Sequence, residues 1–152
     1  MNVVQMKQKV SESEWQTRVD LAACYRLVAY YGWTDLIFTH LSARVPDSVG
    51  SAEGEAFLIN PLGFLFNEIT ASSLVKVDLE GEILSQTDYQ INPAGFTIHS
   101  AVHRARSNVG CVMHLHTDDG VAVSSQADGL LPLTQTAMTI VPNLAYHDYE
   151  GI

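Results

Sequence analysis

The sequence predicts an α/β domain in which a mixed sheet is covered by helices. Three observations carry that prediction. Apolar residues recur at helical three-and-four spacing across residues 14–31. Short apolar runs bounded by Gly, Pro, Ser and Asp follow between residues 36 and 85. A second helical pattern, from Gly95 to Arg106, leads straight into the apolar run Val109 to Met113.

Each element has a local reason. Residues 1–14 read as an N-terminal extension whose last four positions, Ser11-Glu12-Ser13-Glu14, carry the signature of a helix start. The helix runs to about Tyr31, with Val19, Ala22, Ala23, Arg26, Leu27 and Tyr30 at helical spacing as its expected core face, and Gly32 ends it. Leu36 to Phe38 and Leu41 to Val45 read as strand, residues 46–54 as a surface hairpin loop, and Ala56 to Asn60 as the next strand. Leu74 to Asp78 and Glu82 to Ser85 flank Leu79-Glu80-Gly81 as another hairpin. The later helix puts Phe96, His99, Val102, His103 and Arg106 on one face, and Ser107-Asn108 closes it before the strand that runs through His116.

Composition agrees. A chain of 152 residues that is 47% hydrophobic and 16% charged can bury a substantial core, which excludes a disordered reading. It has no apolar run of about 18 residues, and Asn2, Gln5, Lys7, Gln8 and Lys9 leave no apolar segment for a signal peptide, so a soluble cytoplasmic protein is expected. Cys24 and Cys111 fall in helix and strand patterns and read as two reduced core thiols. The net charge of −9 is spread, and no segment concentrates its eight Lys and Arg residues, which argues against nucleic acid as a partner.

The chemistry begins at His114-Leu115-His116. Strand residues two apart project to one side, so two imidazoles could share a divalent ion such as zinc; a catalytic site needs about three protein ligands and an open position. His99 and His103, four apart on a helix, form a rival pair, but His99-Ser100-Ala101-Val102-His103 lacks the glutamate base of helical zinc protease motifs. His99 is the better candidate of the two to reach the site, as a hydrogen-bond partner behind a ligand. His147 lies among turn-forming polar residues and is not assigned as a ligand.

The stretch from Gly95 to Thr117, together with Gly129-Leu130-Leu131-Pro132-Leu133-Thr134-Gln135 and Ala145-Tyr146-His147-Asp148-Tyr149-Glu150-Gly151, resembles the class II aldolase/adducin family, and most closely its adducin-like branch. Thr39-His40-Leu41-Ser42-Ala43-Arg44 and Ile59-Asn60-Pro61-Leu62-Gly63 look like the family's two substrate-facing loops. The resemblance runs from about Trp15 to the end of the chain. It implies a three-layer α/β/α domain with a mixed, largely antiparallel sheet, and a divalent metal held by three histidines. It further implies a carbon–carbon bond made or broken next to a carbonyl, and an active site built between neighbouring subunits. By the same comparison the third histidine lies beyond Ile152, so residues 15–152 are expected to be a domain truncated at its C-terminal end.

The departures from the family pattern are as informative. Sugar-phosphate aldolases of the family carry a proton-transferring glutamate where this chain has Gly95, and small hydroxyl residues for phosphate where it has Pro93 and Ala94. The Gly-Asn pair of the first loop matches Thr39-His40, the Thr-Gly pair of the second matches Leu62-Gly63, and the neighbouring subunit's acid tyrosine falls on Thr136. Phosphate recognition is weakened at each place. His40 is the candidate substitute for proton transfer, since an ordinary imidazole titrates near pH 6.5, while Asn60 and Gly63 are candidate donors to a substrate carboxylate.

Two functions are therefore expected. The first is a metal-dependent lyase of the aldolase type that acts on a small, non-phosphorylated hydroxy-carbonyl compound through a metal-stabilised enolate. The second is a non-catalytic adducin-like module for self-association or partner binding. The apolar segment Leu130 to Leu133 and the pair Tyr146 and Tyr149 suggest a surface buried in a cyclic homo-oligomer, a tetramer above all.

Overall fold

Ser11 starts the long helix. Its hydroxyl accepts the backbone N–H of Glu14 at 3.1 Å, capping α2 (Glu12–Tyr30), and Gly32 takes a φ of 70° just after it. A short α1 (Val3–Lys7) precedes it. The computed structural model describes residues 3–48 and 54–148. Two units, Met1–Leu115 and His116–Ile152, make up the chain.

The first unit contains a four-stranded sheet. Strands β1 (His40–Arg44), β2 (Ala56–Ile59), β3 (Val75–Asp78) and β4 (Cys111–His114) lie in the order β3-β2-β1-β4, and every pairing among them is antiparallel. Alternation sorts the two faces. Leu41, Ala43 and Leu58 meet Leu21, Ala22, Tyr25 and Val28 of α2, together with Phe66, Ile69 and Leu74. On the other face Phe57, Ile59, Val75 and Val77 meet Phe96 of α3 (Pro93–Ala105). Helix, sheet and helix thus form three layers within this unit, the α/β arrangement expected.

Polar groups fix α2. The buried Arg18 guanidinium pairs with Glu14 at 2.8 Å and donates to the carbonyls of Leu74 and Ala71 at 2.7 and 3.3 Å, while Lys76 reaches the other oxygen of Glu14 at 2.9 Å. This triad changes which face of the helix is inside. Val19, Ala23, Arg26, Leu27 and Tyr30, expected in the core, are not buried, and of that set only Ala22 is; the buried face is Glu14, Arg18, Leu21, Ala22, Tyr25 and Val28. Two charges that neutralise each other occupy core-facing positions, so the apolar stripe alone pointed to the wrong side.

Other expectations change for local reasons. Leu36 to Phe38 is not strand: Leu36 has a φ of 48° and Phe38 N–H closes a turn on the Asp35 carbonyl. Glu82 to Ser85 makes only a bridge, Val77 to Ile83, instead of a full strand. Cys111 is exposed, because β4 is the outer strand, and Cys24 is partly buried; both are free thiols, and Cys111 is not a core residue. Of the 46–54 loop, Pro46–Ser48 forms a 3-10 turn, and residues 49–53 lie outside the described residues.

The second unit holds α4 (Asp118–Ser124) and α5 (Gln135–Ile140), capped by the hydroxyls of Thr117 and Thr134, and a 3-10 turn over Val141–Asn143. Within it the Tyr146 hydroxyl accepts the Leu130 N–H at 2.7 Å, yet Tyr146 and Leu133 remain 60% and 80% exposed. Tyr149 lies outside the described residues.

Candidate functional site

One face of β1 carries His40, Ser42 and Arg44, since residues two apart share a side. Helix α3 lies over that face and presents His99 and His103, four residues apart. In the register of β1 with β4, His40 pairs directly with His114. Three elements therefore bring four histidines and one serine together.

They form a continuous line. His114 Nδ1 lies 3.4 Å from His40 Nε2, and His40 Nδ1 lies 2.8 Å from His99 Nε2. His99 Nδ1 lies 2.5 Å from Ser42 Oγ, which lies 2.8 Å from His103 Nε2. His40, Ser42, His99 and His103 are buried, and His114 is half-buried at the end of its strand. Burial first, and the neighbouring rings of His40 and His103 after it, hold His99 down to about 3. Burial and then the Arg44 cation hold His103 down to about 4, against the opposite pull of the Val109 carbonyl and Glu55. Both rings are neutral at pH 7.

Arg44 anchors this arrangement. Its guanidinium pairs with Glu55 and donates to the carbonyls of His103 at 2.5 Å and Arg106 at 3.3 Å, at the C-terminal end of α3. A cation suits that end of the helix dipole, where the Arg106 carbonyl also accepts the Val109 N–H at 3.0 Å.

Gly95 completes the site at the start of α3. A Cβ there would lie 2.7 Å from Cδ2 and 2.9 Å from Nε2 of His40, inside van der Waals contact. The ring cannot step aside freely, because both of its nitrogens face other imidazoles. The position at which the family resemblance puts glutamate thus has no room for any side chain, and the root of that space is filled by His40.

The remaining expected residues fall as follows. Asn60 is buried: its Oδ1 lies 2.8 Å from the Tyr25 hydroxyl, and its amide donates to the Pro61 carbonyl at 3.4 Å. The same hydroxyl accepts the Leu41 N–H at 2.8 Å, and burial raises its pKa far above the usual tyrosine range, so it works as a neutral clamp. Gly63 sits on the surface with a φ of 86° and open space on its Cβ side. The strand ends at His114, and His116 is the first residue of the second unit. His103, half of the rival pair with His99, meets Ser42 and not an ion, and Ser42 is the site residue that the sequence does not single out, although the spacing of 40 with 42 is visible in it.

Metal binding can be tested against these groups. Among the described residues no set of three His, Cys, Asp or Glu side chains is placed to hold an ion by itself. His114 fits one ligand position, since a metal-binding imidazole characteristically has its other ring nitrogen hydrogen-bonded, here Nδ1 against His40.

The profile of the Class II Aldolase and Adducin N-terminal domain matches residues 19–152. An aldolase II superfamily protein from Pseudomonas syringae, known as a crystal structure, superposes with a TM-score of 0.87 at 53% identity, over 95% of this chain and 57% of that one. L-fuculose 1-phosphate aldolase from Glaciozyma antarctica PI12 superposes with a TM-score of 0.74 at 32% identity, over 86% of this chain and 51% of that one. Alpha-adducin of Mus musculus is 48% identical over 89% of this chain and 18% of its own length. The chain spans about half the length of the bacterial curated relatives it matches, 55% and 53% in two of them. Among the described residues no helix is long and apolar enough to cross a membrane.

Proposed function

The chain belongs to the class II aldolase and adducin family, and from that premise we propose that it is the N-terminal part of a metal-dependent carbon–carbon lyase acting on a small, non-phosphorylated hydroxy-carbonyl compound. The observation that carries the reading is the His40 ring lodged against Gly95. In place of a glutamate side chain the site has an imidazole, which can hold or give up a proton at Nε2. His114, His116 and a third histidine following Ile152 would hold a divalent ion, zinc by ligand preference. When bound, such an ion supplies Lewis acidity to a carbonyl beside the breaking bond, on the order of several kcal/mol.

The chain's own residues do the rest. Arg44 and the Tyr25–Asn60 clamp hold β1, β2 and α3 in fixed relation, so that His40 stays pressed against His114. Burial keeps water from the inner rings. Gly63 is the proposed donor to a substrate carboxylate, with Asn60 behind it. A phosphate is disfavoured because Pro93, Ala94 and Leu62 stand where the family's phosphate binders carry hydroxyl groups.

A second reading, a non-catalytic adducin-like module, is favoured by one specific observation: both nitrogens of His40 are already turned to imidazoles in a buried setting. Metal content separates the two. The full-length protein is expected to carry one divalent ion per subunit, by elemental analysis, and His114→Ala to lose it; equal content in the two proteins would remove the proposed site and leave the module. We also propose a cytoplasmic homo-tetramer, a reading supported by the exposed Leu131, Leu133 and Tyr146.

A further inference from the structure

We propose that the cleft between the α1–α2 junction and β3 binds a small organic anion, a carboxylate on a short apolar chain, with its head between the Lys9 and Lys76 ammonium groups and its chain along Met6, Val10 and Leu84. A cavity of about 370 Å³ lies there, bordered also by Glu14, Arg18 and Ser85. Ligand clefts ordinarily measure about 300–1,000 Å³. This one is separate from the histidine line. Lys76 stands opposite Leu58 in the β2–β3 register, so its side chain lies on the α2 face of the sheet, whereas His40 and Ser42 lie on the α3 face. The strands concerned, β3 and β4, are also at opposite ends of the strand order.

The charges select an anion. Three of the chain's eight Lys and Arg residues, Lys9, Arg18 and Lys76, line this cavity against a single carboxylate, Glu14, a local excess of two positive charges in a protein of net charge −9. Such a concavity reverses the potential of the surface around it. Asp47 stands in an adjoining recess, where the Ser13 hydroxyl donates to it. Arg18 is not the group that meets the ligand, because its guanidinium is engaged by Glu14 and by the Leu74 and Ala71 carbonyls. The two lysines are. Among the described residues Lys9 donates to Gln86 at 2.8 Å and Lys76 to Glu14 at 2.9 Å, and an ammonium has three N–H donors, so each keeps others for an incoming oxygen. The Ser85 hydroxyl, whose oxygen accepts the Lys76 backbone N–H at 2.7 Å, adds a proton beside them.

The walls select an organic body and a single negative charge. Met6 is buried beside the cavity, Val10 is half-buried, and Leu84 is exposed along its rim. A chain laid against these three side chains leaves water, which raises affinity about fourfold per buried methylene. A phosphate dianion would face the Glu14 carboxylate and find no open guanidinium fork, since that of Arg18 is occupied. A carboxylate needs only the two ammonium groups.

The test titrates the full-length protein, treated with chelator and labelled with ¹³C-methyl methionine, with hexanoate. The Met6 methyl signal should shift and saturate, while Met113, on the strand of His114, stays in place. Acetate, shorter by four methylenes, should bind at least about tenfold more weakly, and hexylamine, with the charge reversed, should leave Met6 unmoved. Lys9→Glu should weaken hexanoate by about tenfold or more, and Lys9→Arg should restore it. Lys9 is exposed, so its variants should keep the wild-type urea midpoint. No saturable shift at Met6, a shift at Met113 in its place, or unchanged affinity in a folded Lys9→Glu overturns the proposal. Acetate or inorganic phosphate binding as tightly as hexanoate overturns the apolar chain as part of the ligand. None of these readouts involves the lyase reaction, so the reading of the histidine site stands or falls separately.

Discussion

Replacing Gly95 by alanine measures how tightly His40 is held. In a typical helix the change is favourable by up to about 1 kcal/mol, because glycine loses more backbone freedom on folding. Here the new Cβ would stand 2.7 Å from Cδ2, 2.9 Å from Nε2 and 3.1 Å from Cγ of His40. Carbon contacts are comfortable at about 3.5–4.0 Å, so the ring must retreat by roughly 1 Å. Retreat takes it off His99 Nε2, now 2.8 Å away, and strands a buried ring nitrogen. Overpacking costs about 1–3 kcal/mol and the stranded group about 1–3 kcal/mol; with the helix gain subtracted, the net loss is about 3 kcal/mol. Urea unfolding of the full-length protein gives the value through the midpoint at unchanged slope. The same substitution placed on His40→Ala, where no ring opposes the methyl group, should be neutral or stabilising, so the two changes couple by roughly 2–4 kcal/mol. A stabilising Gly95→Ala in the wild-type background would refute the close packing of the two residues.

Three further outcomes follow from the same geometry. Between the folded values near 3 and 4 for His99 and His103 and the ordinary histidine value, the unfolded chain binds protons that the folded chain refuses. Stability is therefore full above about pH 6.5 and falls below it, by up to about 1.4 kcal/mol per pH unit for each ring; urea midpoints from pH 7 to pH 4 check this, and a flat profile would contradict the burial of neutral rings. In activity assays we expect no appreciable turnover of sugar phosphates. On a non-phosphorylated hydroxy acid, His40→Ala should lower kcat more than His103→Ala does, and equal kcat values would remove His40 from proton transfer. Light scattering should give a tetramer mass, and a monomer mass that holds across concentrations would end the proposed role for a neighbouring subunit.

Much of the fold was legible in the sequence because local rules and burial agreed. Ser11 and Gly32 bracket α2 as a capping signal and a breaker should, and α3 and the cores of four strands fall where periodicity puts them. The failures share a cause, a contact distant in sequence. Periodicity could not weigh Glu14 and Arg18 as core residues, because their burial depends on each other and on carbonyls more than fifty residues away. Leu36 reads as strand by its side chain, whereas its backbone turns. At the site, His40, His99 and His114 were each singled out, but the line through them needs the β1–β4 register and the packing of α3, which no local pattern encodes. Ser42 carries no signal of its own, because a hydroxyl alternating along a strand is ordinary until it is found between two imidazoles.

The Glu14–Arg18–Lys76 triad acts as a key that sets where α2 stops along its own axis. Apolar contacts alone would fix that position poorly. Sliding the helix by four residues, about 6 Å, puts Tyr25 in place of Leu21 and Ala29 in place of Tyr25, still hydrophobe for hydrophobe. The same slide puts Ala22 in front of the Leu74 and Ala71 carbonyls, which then lose the Arg18 donor. A well-packed apolar substitute for such a buried pair is often as stable or more so, so the triad's contribution is the unique placement it enforces more than net stability. That placement reaches the other side of the sheet. With α2 locked, Tyr25 meets Leu41 and Asn60, β1 keeps its register, and the histidine at its first position faces His114 and not a residue one step along.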